Sequence, residues 1–327
     1  MKRSIIAAAA IAAAVVLPAA SRADPVKIRV GWVAAPGELP SIMEFKKDVA
    51  KHWGQSYSFE AIHFQGTPPM MTAMAANQVE LTPLSYSTLG LGIINAGMTD
   101  LTVIADEIRD GVPGWRTNEF MVLKDGPIKT VADLKGRTVA VTSAGSLTDW
   151  LVRELARQQG WGPDGIKSLP MGALRTKMAA LKGGEIDSVL LTSGSVYEFE
   201  EQGQARVIAS FGDLVHDFHT HVLYAPDRLV ASNEALVRRF LEGWLRSVAW
   251  MRAHKSEGVK IAARTLEIGA TAASKAFDQD MKMMSEDGAF SRRAIEVIRR
   301  SLVELGILDK IPDANLLYTD RFVAVRD

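Results

Sequence analysis

Ser143-Ala144-Gly145-Ser146 places two hydroxyls around a glycine, and the residue types on either side fix what such a turn can do. Ser146 with Asp149 three positions on reads as a capping box, so a helix starts there. Its apolar residues Leu147, Trp150, Leu151 and Leu155 recur at helical spacing, and Gly160 closes it. Arg137 to Thr142 before the turn is short and apolar, as a buried strand is. A strand that feeds a small-residue turn and then a helix start leaves backbone N–H groups and the positive dipole end facing outward. The chemistry available is capture of an anion or a strongly accepting group, with Ser143, Gly145 and Ser146 as the candidate contacts.

Other candidates lie where strands run out into loops. Val26 to Val33 alternates as a first strand and opens into Trp32, Glu38 and Leu39. Ser58 to Gln65 is a second, opening into Gln65, Gly66 and Thr67; Thr67 is an N-cap candidate with Pro68 at the first helical position. Val79 to Leu84 is a third, ending at Ser85, Tyr86, Ser87 and Thr88, and Leu101 to Ile108 a fourth. Ile186 to Leu191 opens into Thr192 and Ser193, with Ser195 and Glu198 reading as a further capping box. Glu38 can accept from an amino group. No Arg lies in the strand-end loops of the first half; Arg116 and Arg175 are the nearest basic residues to the predicted pocket.

Helices alternate with these strands. A helix is expected from Ser41 to about Trp53, another after Thr67 with Met70, Met71 and Met74 on one face, and one through Ile93 and Ile94. Thr130 with Asp133 caps a short helix that stops at Gly136, and Ala173 to Lys182 is a further helix. The alternation predicts α/β lobes with mostly parallel sheets flanked by helices, whose ligands lie beyond the carboxyl ends of the strands. Asn233 to His254 is the longest helix, with Leu236, Phe240, Trp244, Val248 and Met251 as a core stripe. Helical stretches follow at Gly258 to Glu267, Ser274 to Ser285 and Ser291 to Leu305. Met71 to Glu80 and Met178 to Asp187 echo one another as helix end, turn and strand entry.

Composition narrows the function. The 327 residues are 47% hydrophobic and 23% charged, enough for two globular domains. Lys+Arg and Asp+Glu both number 38, so no basic excess points to nucleic acid. Without cysteine there is no disulfide, thiol catalysis or cysteine-ligated metal. His219 and His221, with His216 nearby, lack a completing carboxylate or thiol at close spacing, and read as hydrogen-bonded residues rather than metal ligands. G-x-S-x-G, H-E-x-x-H and Walker sequences are absent, so no catalytic residue or cofactor is expected. Lys2 and Arg3, the apolar Ile5 to Leu17 and Ser21-Arg22-Ala23 read as a signal peptide over residues 1–23, cleaved near Ala23.

ADLKGRTVAV followed by GSLTDWLVREL, with ALRTKMAALKGGEIDSVLL and ASNEALVRRFLEGWLRSVAWMRAH, resembles periplasmic solute-binding proteins of ABC transporters. The group resembled is that for nitrate, sulfonate, taurine and thiamine-pyrimidine precursor uptake. The resemblance covers most of the chain after the leader. One departure is Trp53-Gly54-Gln55-Ser56-Tyr57, where the family usually has a Gly-x-x-x-x-Gly-Leu phrase. The resemblance implies a two-lobed type II periplasmic binding protein fold. Lobe 1 would be residues 24–118 plus 224–327 and lobe 2 residues 119–223, joined by two crossings near Phe120 to Leu123 and near His221 to Ala225. It further implies a monomer that holds a small organic solute, anionic or heteroaromatic, without turnover. The partners implied are an ABC permease and its ATPase, with the membrane met only through the permease. Two other readings stay open: an enzyme on the same fold related to thiamine-pyrimidine synthesis, and a periplasmic sensor domain.

Overall fold

A computed structural model describes residues 24–33, 38–89, 92, 97, 98, 100–112, 114–172 and 174–327, without the side chains of residues 41 and 42. The predicted leader, residues 34–37 of the first loop and the helix through Ile93 and Ile94 lie outside the described residues. No described helix is long and apolar enough to cross a membrane.

Two sets of strands organise the chain. In the first, β1 (Val26–Trp32) pairs in parallel with β2 (Tyr57–His63). β3 (Thr82–Ser85) and β4 (Leu101–Asp110) flank β10 (Phe218–Pro226), which runs antiparallel to both. Glu80, just before β3, joins the two groups by donating its N–H to Arg29 O of β1 at 2.8 Å. The strands thus succeed one another as β2, β1, β3, β10, β4.

The second set is one sheet in the order β7 (Lys167–Pro170), β6 (Thr138–Val141), β8 (Ser188–Thr192), β5 (Asn118–Leu123), β9 (Ala205–Ser210). β6 runs parallel to β7 and β8, and β5 is antiparallel to β8 and β9. This is the same order with β5 in the place of β10. Each of these two strands is the first after the chain changes sheets, through residues 111–117 and again through 211–217, so each enters its sheet from the opposite end. The fold is the two-lobed type II periplasmic binding protein fold, its parallel sheets each holding one antiparallel strand. Phe120 to Leu123 and His221 to Ala225, expected as crossings, are instead β5 and the body of β10. Their apolar runs signal buried strands and carry no information about which sheet holds them.

Helices cover both sets. α1 (Pro40–Phe45) is shorter than expected; the chain turns repeatedly after it and His52 takes φ 71°. α2 is Thr67–Ala75, α3 Leu147–Gln158, α4 Leu174–Gly183 and α5 Ser193–Glu201. The α5 N-cap is Thr192, so Ser195 lies inside the helix and forms no capping box. β7 went unread in the sequence because its residues are mostly exposed and do not alternate.

α6 (Glu234–Ala253) buries Leu236, Phe240, Trp244, Val248 and Met251, the stripe expected of it. These residues meet Tyr57, Phe59 and Val30 in one core. A second core joins α3 to the first set of strands, with Trp150, Phe211 and Phe218 clustered at ring separations of 4.8–6.0 Å. α7 is Lys255–Leu266, α8 Ala270–Met283 and α9 Arg292–Glu304. α8 packs on α5, placing the carboxyl-terminal helices against the second sheet as well as the first.

Candidate functional site

A cavity of about 390 Å³ opens where the carboxyl ends of the two sets of strands face each other. β1 and β2 supply Trp32, His63, Phe64 and Gln65. The second sheet supplies Asn118, Thr142, Leu190 and Thr192, with Thr148 from the start of α3. α4 adds Leu174 and Lys177, and α7 adds Thr265 and Leu266. The strand ends hold these residues because parallel strands bring loops of one direction to one edge.

Of the residues proposed from sequence, Trp32, Gln65 and Thr192 line this cavity. Gly66 and Ser143 meet beside it: a Cβ on Gly66 would lie 2.6 Å from Ser143 Oγ, so glycine is what lets the two loops approach. Thr67 is buried at the first position of α2.

The others are engaged elsewhere. Tyr86 is fully buried and donates its hydroxyl to Leu317 O at 3.0 Å. Ser85 and Ser87 share a hydrogen bond of 2.7 Å, both buried. Leu39 is core. Glu38 is buried, accepts the Val33 N–H, and lies 3.5 Å from His221 Nε2. Ser193 donates to Asp280 Oδ1 at 2.8 Å, between α5 and α8.

Apart from Ser143 Oγ, which is buried and has no hydrogen-bond partner among the described residues, the Ser143 to Ser146 turn has its polar groups engaged within the chain. Ser146 Oγ donates to Ser143 O at 2.7 Å and accepts the Asp149 N–H at 3.4 Å, which is the cap expected of it. Asp149 does not return a bond to Ser146; its Oδ2 accepts the Gly145 N–H at 2.9 Å, and its Oδ1 accepts from Ser168 at 2.6 Å. Thr88 Oγ1 donates to Gly145 O at 3.1 Å, tying the two halves of the chain. Asp149 thus occupies the N–H that the sequence reading reserved for a ligand.

The two arginines also turn away. Arg175 is 94% exposed and 3.8 Å from Glu267. Arg116 pairs with buried Glu119 and lies over the Tyr197 ring. Burial pushes the Glu119 carboxyl up to about 8, with the Arg116 charge opposing it.

Lys177 is the cation that does reach the cavity. It is 5% exposed, and burial lowers its pKa to about 8. Among the described residues it has no hydrogen bond or ion pair, and no Asp or Glu lines the cavity. A buried ammonium without a partner is costly. The signal was present in the sequence. Lys177 lies three residues after Leu174 and four before Leu181, on the apolar face of α4 rather than on its solvent face. Thr265 Oγ1, buried and unpartnered, is a second polar atom at the same cavity.

Of the two histidines of β10, His219 is hydrogen-bonded as expected, whereas His221 Nδ1 is buried without a partner among the described residues. His219 Nδ1 donates to Asp106 Oδ1 at 2.6 Å and its Nε2 accepts the Ser291 N–H at 2.9 Å, which fixes its tautomer. Burial drives His221 down to about 4. Glu107 is pushed well above the usual carboxylate range by burial, with Glu38 and Asp106 adding to it.

Residues 115–258 match the family described as NMT1/THI5 like. The matched stretch contains the whole second sheet, β10, and α3 to α6. A relative is the protein of Escherichia coli (strain K12) described as an aliphatic sulfonates-binding protein. It is 22% identical over 251 residues, covering 77% of this chain and 75% of the relative. The alkanesulfonate-binding protein SsuA from Xanthomonas axonopodis pv. citri, bound to MOPS, superposes with a TM-score of 0.74. It is 15% identical, with 90% of this chain and 97% of that one covered. The desulfurization enzyme DSZB also shares the fold, with a TM-score of 0.61, 15% identity, and 91% and 97% covered. The match to that family and the likeness to the sulfonate-binding proteins bear out the resemblance to periplasmic solute-binding proteins.

Proposed function

We infer that this protein is the solute-binding component of an ABC importer and holds a small organic anion between its lobes. The observation that carries the reading is Lys177, a buried cation with no ion pair or carboxylate neighbour among the described residues of the interlobe cavity. The similarity to sulfonate-binding proteins agrees with an anionic solute. The anion then lies at Lys177, in the cavity that Thr142, Thr148 and Thr192 also line, rather than at the Ser143 to Ser146 backbone. The lobes close about residues 111–117 and 211–217 and hand the solute to a permease driven by its ATPase. The chain acts as a monomer in the periplasm, after cleavage near Ala23.

Mass spectrometry of small molecules that co-purify with the native protein tests this. A bound organic anion, recovered unchanged after incubation and lost in Lys177→Met, is the expected result. A chemically altered ligand would favour the enzyme reading, which the shared fold of DSZB keeps in view. A cationic or uncharged ligand would overturn the anion assignment.

A further inference from the structure

Trp32 and His63 stand side by side at the cavity because β1 and β2 are parallel and in register at these two residues. Their ring centroids are 4.3 Å apart with an angle of 40° between the planes. His63 Nε2 lies 3.2 Å from Val33 O, which holds the imidazole in place. Phe64 follows on the same edge, its N–H donating to Trp32 O at 2.8 Å. Gly31 leaves room for this wall, since a Cβ there would lie 3.1 Å from the Phe64 ring and 2.4 Å from Met70 sulfur. Leu174 and Leu266 bring apolar surface from α4 and α7, and Lys177 lies one turn from Leu174.

We propose that the bound solute is an aromatic anion without a positively charged group, its acid end at Lys177 and its ring against Trp32 and His63. This rests on the solute-binding reading given above and narrows it to a chemical class. A cavity of about 390 Å³ is near the small end of ligand sites, roughly 300–1,000 Å³, and suits a single ring better than a nucleotide or peptide. Aromatic faces attract a ring in offset or tilted stacking beyond what buried area alone supplies, and an alkyl chain lacks that increment. The absence of a carboxylate among the described lining residues leaves an ammonium group on the solute with no counter-charge.

Calorimetric titration of the full chain with benzenesulfonate, ethanesulfonate, taurine and benzyl alcohol tests the proposal. Benzenesulfonate is expected to bind about tenfold tighter than ethanesulfonate, with taurine weaker than ethanesulfonate and benzyl alcohol weakest. Trp32→Leu should cut benzenesulfonate affinity about tenfold and ethanesulfonate affinity by less, whereas Lys177→Met should weaken both sulfonates together. Should Trp32→Leu fail to fold, His63→Ala removes the other half of the ring pair and takes its place. Equal affinity for the two sulfonates, or preference for taurine, overturns the aromatic class and leaves the anion site standing. Sulfonate binding that survives Lys177→Met unchanged, or tighter binding of benzyl alcohol than of either sulfonate, overturns the anion site itself.

Discussion

Glu80 and Asp187 make the same hydrogen bonds in the two halves of the chain. Glu80 Oε2 accepts the Arg29 N–H at 2.6 Å, and its own N–H donates to Arg29 O at 2.8 Å. Asp187 Oδ2 accepts the Thr138 N–H at 2.9 Å, and its N–H donates to Thr138 O at 2.9 Å. An arginine completes each set, Arg29 of β1 on Glu80 and Arg137, just before β6, on Asp187. Each carboxylate therefore fastens the entry of the next parallel strand to its sheet, Glu80 just before β3 and Asp187 just before β8. Glu80→Ala and Asp187→Ala should each cost about 1–3 kcal/mol, since each removes a charged acceptor from a backbone N–H. Urea unfolding checks both, and a cost in one lobe alone would show that the likeness is only geometric.

Lys177 predicts a pH signature. Its folded pKa, about 8, lies below the unfolded value near 10.4, so the unfolded chain holds more protons between these limits. Stability should therefore rise as pH increases from about 8 to about 10, and Lys177→Met should lose that rise while melting higher at pH 7. Affinity for a sulfonate should fall above about pH 8, as the ammonium that attracts it is lost. Thermal melts and titrations at pH 7 and pH 9 read both effects.

Asp280 predicts the opposite dependence. Burial raises its carboxyl from 3.8 to about 7, opposed by the Ser193 hydrogen bond. The native state then holds a proton that the unfolded state has released, so stability falls as pH rises from about 4 to about 7. The loss is at most roughly 4 kcal/mol, at about 1.4 kcal/mol per unit. Asp280→Asn should flatten this part of the curve, and an unchanged slope would place the titration elsewhere.

Ser146→Ala should cost about 1 kcal/mol or somewhat more, because Ser146 Oγ both caps α3 and ties back to Ser143 O. Gly145→Val should destabilise strongly whatever the solute does, since Gly145 has φ 74° and valine is strained there. Gly145→Asn, which tolerates positive φ better, is the variant whose affinity is informative. With Gly145 N–H already held by Asp149, affinity should stay within about threefold of the parent, about 0.7 kcal/mol. A larger loss in a well-folded protein would return the anion to the turn.

The sequence determined the local elements and much of their order. The Leu236 to Met251 stripe could only be a helix with one buried face, and Ser146 could only cap the helix that follows it. The echo of Glu80 and Asp187 was legible because each lies at a helix end, turn and strand entry. These features depend on residues within a turn or two, where periodicity and capping act. Tertiary structure decided what depends on distant partners. Tyr86 and Ser193 have the residue types of ligand contacts, but Leu317 O and Asp280 take their hydroxyls from far along the chain. β5 and β10 read as ordinary strands, and only the chain's two passages between sheets make them antiparallel members of the opposite sets. Lys177 became a candidate once the fold turned the apolar face of α4 onto the interlobe cavity. Pairing across 80 or more residues leaves no periodic trace, because the energy that selects it comes from burial in the assembled lobes.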